Sequence, residues 1–148
     1  MILLDTNVLG RLTAPADPRC GVARQAIATL FKANERLVIV PQNLYEFWAV
    51  ATRRPGSPPA GQNGLGMSAR QAGQWLDFFR RRFVLLPDRP ELTSVWQTLV
   101  QKLNIRGFRA HDARLVVAMQ TYGIRKLLTF NHPDFASLPV ETLDPASV

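Results

Sequence analysis

Cysteine and histidine are nearly missing from this chain: Cys20 is the one cysteine, and there are two histidines in 148 residues. A single thiol excludes an intramolecular disulfide and suits a reducing compartment. So few soft ligands also exclude a zinc site of ordinary ligand count. No apolar stretch is long enough to span a bilayer. Asp5 interrupts the N-terminal apolar run too early for a signal peptide, so a cytoplasmic location without membrane contact is expected. There is no Walker-type glycine loop, no G-x-S-x-G elbow and no C-x-x-C pair. No repeat or low-complexity tract occurs beyond one Pro/Gly-rich segment. Acid is scarce as well, with 11 Asp and Glu against 18 Lys and Arg, a formal net charge of +7 and a pI near 10.7. That excess favours a polyanionic partner, nucleic acid first and an acidic protein second; the competing reading is a merely basic surface.

What is present is a core. Hydrophobic residues make up 47% of a chain of single-domain size. Ile2-Leu3-Leu4, Leu37-Val38-Ile39-Val40, Phe83-Val84-Leu85-Leu86 and Lys126-Leu127-Leu128-Thr129 read as short buried strands, with Pro139 to Leu143 as an edge strand. Between them, Thr6–Leu12 reads as a short helix or turn, and helical periodicity predicts helices over Arg19–Ala33, Gln42–Arg53, Ala69–Arg82 with Ser68 as cap, Asp88 or Pro90 to Leu103, and His111 or Asp112 to Tyr122. The middle of the third helix, Leu44 to Ala51, is apolar nearly all round and predicts burial nearly all round. Phe130 to Phe135 reads as a turn. Strands alternating with helices predict a three-layer α/β/α sandwich around a mostly parallel sheet, one domain over 1–148. The Pro/Gly-rich loop at 54–67 is an excursion within it, expected to be mobile, with little backbone pairing and few apolar anchors.

Against this background the lone acids stand out. Asp5 follows the first strand, where open α/β sheets collect ligands. Asp5-Thr6-Asn7 also suits a helix cap, and both readings stand. Asn7 in place of Asp counts against a phosphotransferase with an aspartyl nucleophile. Glu46 is the only charge on its apolar helix, and a buried carboxylate needs a metal, a cation or a wet cleft; an exposed seam or an arginine partner is the alternative. Asp112 shares a helix face with Leu115, Val116 and Met119, though an acid in a first turn also suits the helix dipole. Asn131 and Asp134 follow the fourth strand and could join the three. Carboxylates brought together resist ionising unless a cation neutralises them, and hard oxygen donors select Mg²⁺ or Mn²⁺. A basic protein with an acid-bound metal fits phosphodiester hydrolysis.

Four pieces in order then resemble the PIN domain family. They are Asp5-Thr6-Asn7, the lone Glu46, the run His111-Asp112-Ala113-Arg114-Leu115-Val116-Val117-Ala118, and Leu127-Leu128-Thr129-Phe130-Asn131-His132-Pro133-Asp134-Phe135. The resemblance spans Ile2 to about Leu143 and is greatest to VapC-type toxins of bacterial toxin–antitoxin pairs. It implies a Mg²⁺- or Mn²⁺-dependent endoribonuclease. By position, Asp5, Glu46 and Asp112 would hold metal, Asn131 with Asp134 would fill the fourth catalytic position, and Thr6 and Thr129 would support the acids. It also implies an RNA substrate and a cognate antitoxin, and leaves a homodimer open. Arg106, Arg109, Arg114 and Arg125 lie in segments next to Asp112 or Asn131, and Arg109 and Arg114 above all are expected to form a rim for RNA. A PIN-like module that binds nucleic acid or docks a protein with little turnover is the alternative.

Overall fold

The computed structural model describes residues 1–56 and 64–148. Five strands, β1 (Ile2–Leu4), β2 (Leu37–Ile39), β3 (Val84–Leu85), β4 (Lys126–Leu128) and β5 (Glu141–Leu143), form one sheet in the order β3-β2-β1-β4-β5, and every pairing is parallel. The helices are α1 (Thr6–Leu12), α2 (Arg19–Lys32), α3 (Pro41–Thr52), α4 (Ala69–Arg82), α5 (Leu92–Lys102), α6 (Arg109–Thr121) and the one-turn α7 (His132–Phe135), followed by a 3₁₀ turn at Pro145–Ser147.

Alternation along the strands divides the core into two layers. Ile2, Leu4, Leu37, Ile39 and Leu128 point to one face, where Val8 and Leu9 of α1, Ala26 and Leu30 of α2, Phe47 of α3 and Phe79 of α4 cover them. Leu3, Val38 and Leu127 point to the other, under Leu92 of α5, Leu115, Val116 and Met119 of α6, and Phe135 of α7. Central strands buried on both faces explain why β1 and β2 read as unbroken apolar runs. This is the expected sandwich. Because the strands are parallel, Asp5 after β1, the start of α3 after β2 and Thr129 after β4 share one edge of the sheet.

Several boundaries and exposures differ from the sequence reading. Helix α3 is not buried all round: Phe47 and Ala51 face the core, while Tyr45 is 69% exposed and Trp48 39%. Its main helix contacts are with α1 and α4. Helix α5 begins at Leu92, after Pro90 and Glu91 make a turn, and α6 begins at Arg109, two residues before His111. The early start of α6 follows from a turn at Gly107, whose φ of 62° favours glycine, with Ala110 N–H donating to the Gly107 carbonyl. Asn131-His132-Pro133 is the start of α7 rather than an open turn, with Pro133 in its first turn. Of the Pro/Gly-rich stretch, 57–63 lie outside the described residues, and the expected mobility of that part with them. Its last residues are tethered. Leu65, Gly66 and Met67 N–H groups donate to the carbonyls of Val50, Arg53 and Ala51, and Leu65 and Met67 pack on the core.

Candidate active site

Asp5 occupies the cap position of α1, yet its side chain makes no cap hydrogen bond. Its Oδ2 instead accepts from Thr129 Oγ1 at 2.6 Å and from Asn7 Nδ2 at 2.7 Å. Asn7 Nδ2 also reaches Thr129 Oγ1 at 3.0 Å, and Asn7 Oδ1 accepts from the Phe130 N–H. The backbone N–H of Asp5 continues the ladder to Leu128, so β1 and β4 carry the pair as one rigid piece. Asp5 as a whole is only 9% exposed. Burial, assisted by the charge of Glu46 and resisted by the Thr129 hydrogen bond, pushes its pKa from 3.8 up to about 6. The backbone N–H groups of Thr6 and Asn7, at the start of α1, also pull the pKa down, so Asp5 combines its place at the helix start with contacts to β4.

Glu46 stands on the half-buried side of α3. Its Oε2 accepts from Thr6 Oγ1 and its Oε1 from Gln42 Nε2, both at 2.7 Å. Gln42 is oriented in turn. Its Nε2 donates to the His111 carbonyl at 2.9 Å, and its Oε1 accepts from Arg114 Nη1 at 2.8 Å. Arg114 closes the chain with an ion pair to Asp88, Nη2 to Oδ2 at 2.6 Å. Asn43, fully buried, donates to the Leu4 carbonyl and to Thr6 Oγ1 while accepting from the Val40 N–H, and so ties the start of α3 to the end of β1.

Asp112 sits within the first turn of α6, and the cap position, Phe108, offers no side-chain bond. Among the described residues nothing donates a hydrogen bond to its carboxylate. Burial raises its pKa to about 7, and the charges of Asp134, Asp5 and Glu46 add to the rise while Arg109 opposes it. Asp112 is thus within electrostatic reach of Asp134, Asp5 and Glu46, and Asp5 within reach of Glu46, at the carboxyl edge of the sheet. Asn131 is exposed; its Nδ2 donates to the Asp134 carboxylate and its N–H to Thr129 Oγ1.

The arrangement brings Asp5, Glu46, Asp112 and Asp134 together, with Thr6, Thr129 and Asn131 beside them. Among the described residues no three His, Cys, Asp or Glu side chains are gathered tightly enough to enclose a metal ion. Asp5 and Glu46 are held by their donors, while Asp112 is not. Oxygen donors that resist ionising for want of a counter-charge are the chemistry of a hard divalent cation.

The arginines expected to form a rim make contacts of their own. Arg114 is bound to Asp88 and Gln42 and orients Glu46 through Gln42. Arg109 is exposed but tethered to Ser137 Oγ at 2.5 Å and to the Asp134 carbonyl. Arg125 precedes β4 and so lies at the opposite edge of the sheet from Thr129. Asn7, Gln42, Asn43 and Asp88 complete the site without having been singled out as site residues. Their signal in the sequence is faint, since an amide beside an acid is common in turns; only Gln42 and Asn43, polar at the head of an apolar helix, differ from their surroundings.

No curated protein sequence matches the chain. Among solved structures it is similar to VapC20 of Mycobacterium tuberculosis, described as a toxin that cleaves the sarcin–ricin loop. The two are 19% identical, with a TM-score of 0.68 over 95% of this chain and 98% of that one. It is similar to VapBC2 of Rickettsia felis, bound to a DNA fragment from its promoter (16%, TM-score 0.68, 97% and 98%). FitAcB of Neisseria gonorrhoeae is another (13%, TM-score 0.68, 100% of each chain). These likenesses concern the fold. The PIN domain pattern itself matches residues 2–140, and over nearly its whole length, therefore, the chain belongs to the PIN domain family.

Proposed function

We propose that this PIN domain is a Mg²⁺- or Mn²⁺-dependent endoribonuclease and the toxin of a type II toxin–antitoxin pair. The observation that carries the reading is the convergence of Asp5, Glu46 and Asp112 at the carboxyl edge of a parallel sheet, with Asp5 and Asp112 pushed toward neutrality first by burial and then by neighbouring acids, Glu46 for Asp5 and Asp134, Asp5 and Glu46 for Asp112. A cation relieves that repulsion. The structural relatives are toxins and toxin–antitoxin complexes, which supports a protein partner.

Asp5, Glu46 and Asp112 would hold the metal. When bound, it would lower the pKa of a water and offset charge developing on the phosphate. The chain's own groups do the rest. Thr129 and Asn7 fix one oxygen of Asp5, and Thr6 and Gln42 fix both oxygens of Glu46. Asp134, held by Asn131, adds negative charge beside Asp112. Asp112, without a hydrogen-bond donor, is the acid left to adjust to a ligand.

The test is cleavage of single-stranded RNA by the purified protein with Mg²⁺, Mn²⁺ or EDTA. Metal-dependent cleavage by the parent, lost in both Asp5→Asn and Asp112→Asn, is expected. Cleavage retained in both variants would remove the acids from the mechanism. The second reading, a PIN domain that binds nucleic acid without turnover, draws on the absence of a closed three-acid cage among the described residues. RNA binding by the parent with no cleavage under any metal would select it.

A further inference from the structure

Glu46, Thr6 and Asn7 also form one end of a cleft of about 450 Å³ that runs between α1 and α3, away from Asp112. Its size lies within the roughly 300–1,000 Å³ of small-molecule sites. Phe47, Ala49, Val50 and Leu65 give it an apolar wall, and Arg11 and Arg53 line it. At Gly10 a Cβ would meet no heavy atom of the described residues within 4 Å.

Arg11 is the informative residue. Its side chain is 20% exposed, and its Nε is buried without an acceptor among the described residues. Among the described residues its one ion pair is Nη1 to Asp17 Oδ2 at 3.3 Å. That carboxylate is already engaged by Arg19, whose Nε and Nη2 reach its two oxygens at 3.1 Å each. Two guanidinium groups on one carboxylate leave a net positive charge, and burial works against the charge of Arg11. A largely buried cation that shares its carboxylate with a second guanidinium, on a cleft that opens off the acids, leaves positive charge for a further anion.

We infer that this cleft is a nucleotide subsite, in which Arg11 binds a phosphate flanking the scissile one and the apolar wall receives the adjoining ribose and base. The inference rests on the ribonuclease reading and gives it a direction: the RNA strand runs from the acids along α1 and α3, on the side away from Arg109. An acidic peptide offers carboxylates to the same arginine. It does not account for a cleft continuous with a phosphodiester-cleaving site, and RNA does.

Binding is measured by fluorescence anisotropy with a short labelled single-stranded RNA, in the Asp112→Asn background so that cleavage is silent. Gly10→Leu places a side chain in the cleft without removing any polar group, and Arg11→Gln removes the charge. Each should weaken RNA binding about tenfold. Arg11→Gln should also lower the slope of log affinity against log salt by about one. With Asp112 intact, neither substitution should change Mn²⁺ affinity by calorimetry from that of the parent. If Arg11→Gln fails to fold, Gly10→Leu decides alone. Unchanged RNA affinity in the folded variants overturns the subsite, and so does loss of polyglutamate binding with RNA binding intact. Failure of the ribonuclease reading looks different: no metal-dependent cleavage by the parent, with RNA binding present and sensitive to both substitutions.

Discussion

Replacing Asp5 by Asn should stabilise the metal-free protein, and by an amount that depends on pH. The native pKa of Asp5 is about 6 against an ordinary 3.8. The native state therefore binds the proton more tightly than the unfolded chain does. Below pH 3.8 both states are protonated and the advantage of the native state is whole. Between 3.8 and 6 the unfolded chain ionises first, so stability falls as pH rises, and above 6 the loss is complete. At 1.36 kcal/mol per pH unit the gap corresponds to about 3 kcal/mol at pH 8. Asn keeps the volume of Asp and can still accept a hydrogen bond from Thr129 or Asn7, but not with the strength of a charged acceptor, which lowers the net gain to roughly 1–2 kcal/mol. For a domain of this size that is an increase in Tm of about 2–8 °C. Thermal melts in EDTA at pH 8 and pH 4.5 read it directly. The variant should melt higher at pH 8, and the difference should shrink or reverse at pH 4.5. Added Mn²⁺ should raise the Tm of the parent and not of the variant. A variant that melts below the parent at pH 8 in EDTA would refute the claim that Asp5 is held ionised at a cost.

The relay behind Glu46 gives a second expectation: Gln42→Ala or Arg114→Gln should weaken Mn²⁺ binding about 10–100-fold by calorimetry, as loss of an orienting partner does. Unchanged Mn²⁺ affinity would make the relay structural only. Thr129→Val removes the strongest donor to Asp5 and should raise the Asp5 pKa further, read by carboxyl ¹³C NMR titration; a pKa that stays put would contradict the assignment of that bond. In the core, Phe79 is fully buried, edge-on to Phe47 and stacked on Phe83. Phe79→Ala should cost about 3–5 kcal/mol in urea unfolding, and a loss under 1 kcal/mol would mean that this layer is not packed as described.

Local signals in the sequence carried the framework. Apolar runs of strand length gave β1, β2 and β4, and Ser68 with Gln71 forms the capping box that starts α4 at Ala69. Gly123, with φ of 66°, ends α6 where expected. The acids were legible because a lone carboxylate in an apolar setting is costly, and the structure puts Asp5, Glu46 and Asp112 at one edge. Long-range pairing was not legible. Arg114 is 26 residues from Asp88 and 72 from Gln42 along the chain, so nothing nearby marks it as an orienter of Glu46 rather than a rim cation. The same applies to Asn7, whose partners Thr129 and Phe130 lie more than a hundred residues away. Apolar composition also misled: Tyr45 and Trp48 continue the pattern of α3 but face solvent, since burial depends on which neighbours arrive and not on the helix alone. Arg11 escaped notice because its environment is assembled from α1, α3 and the chain before α2.

Diffraction from crystals grown or soaked with Mn²⁺, recorded for its anomalous signal, tests the account at its centre. A peak coordinated by carboxylate oxygens of Asp5, Glu46 and Asp112, at about 2.0–2.2 Å as hard octahedral ions require, is the predicted result. A well-ordered protein with no peak at that edge of the sheet, or with one bound elsewhere, would contradict it.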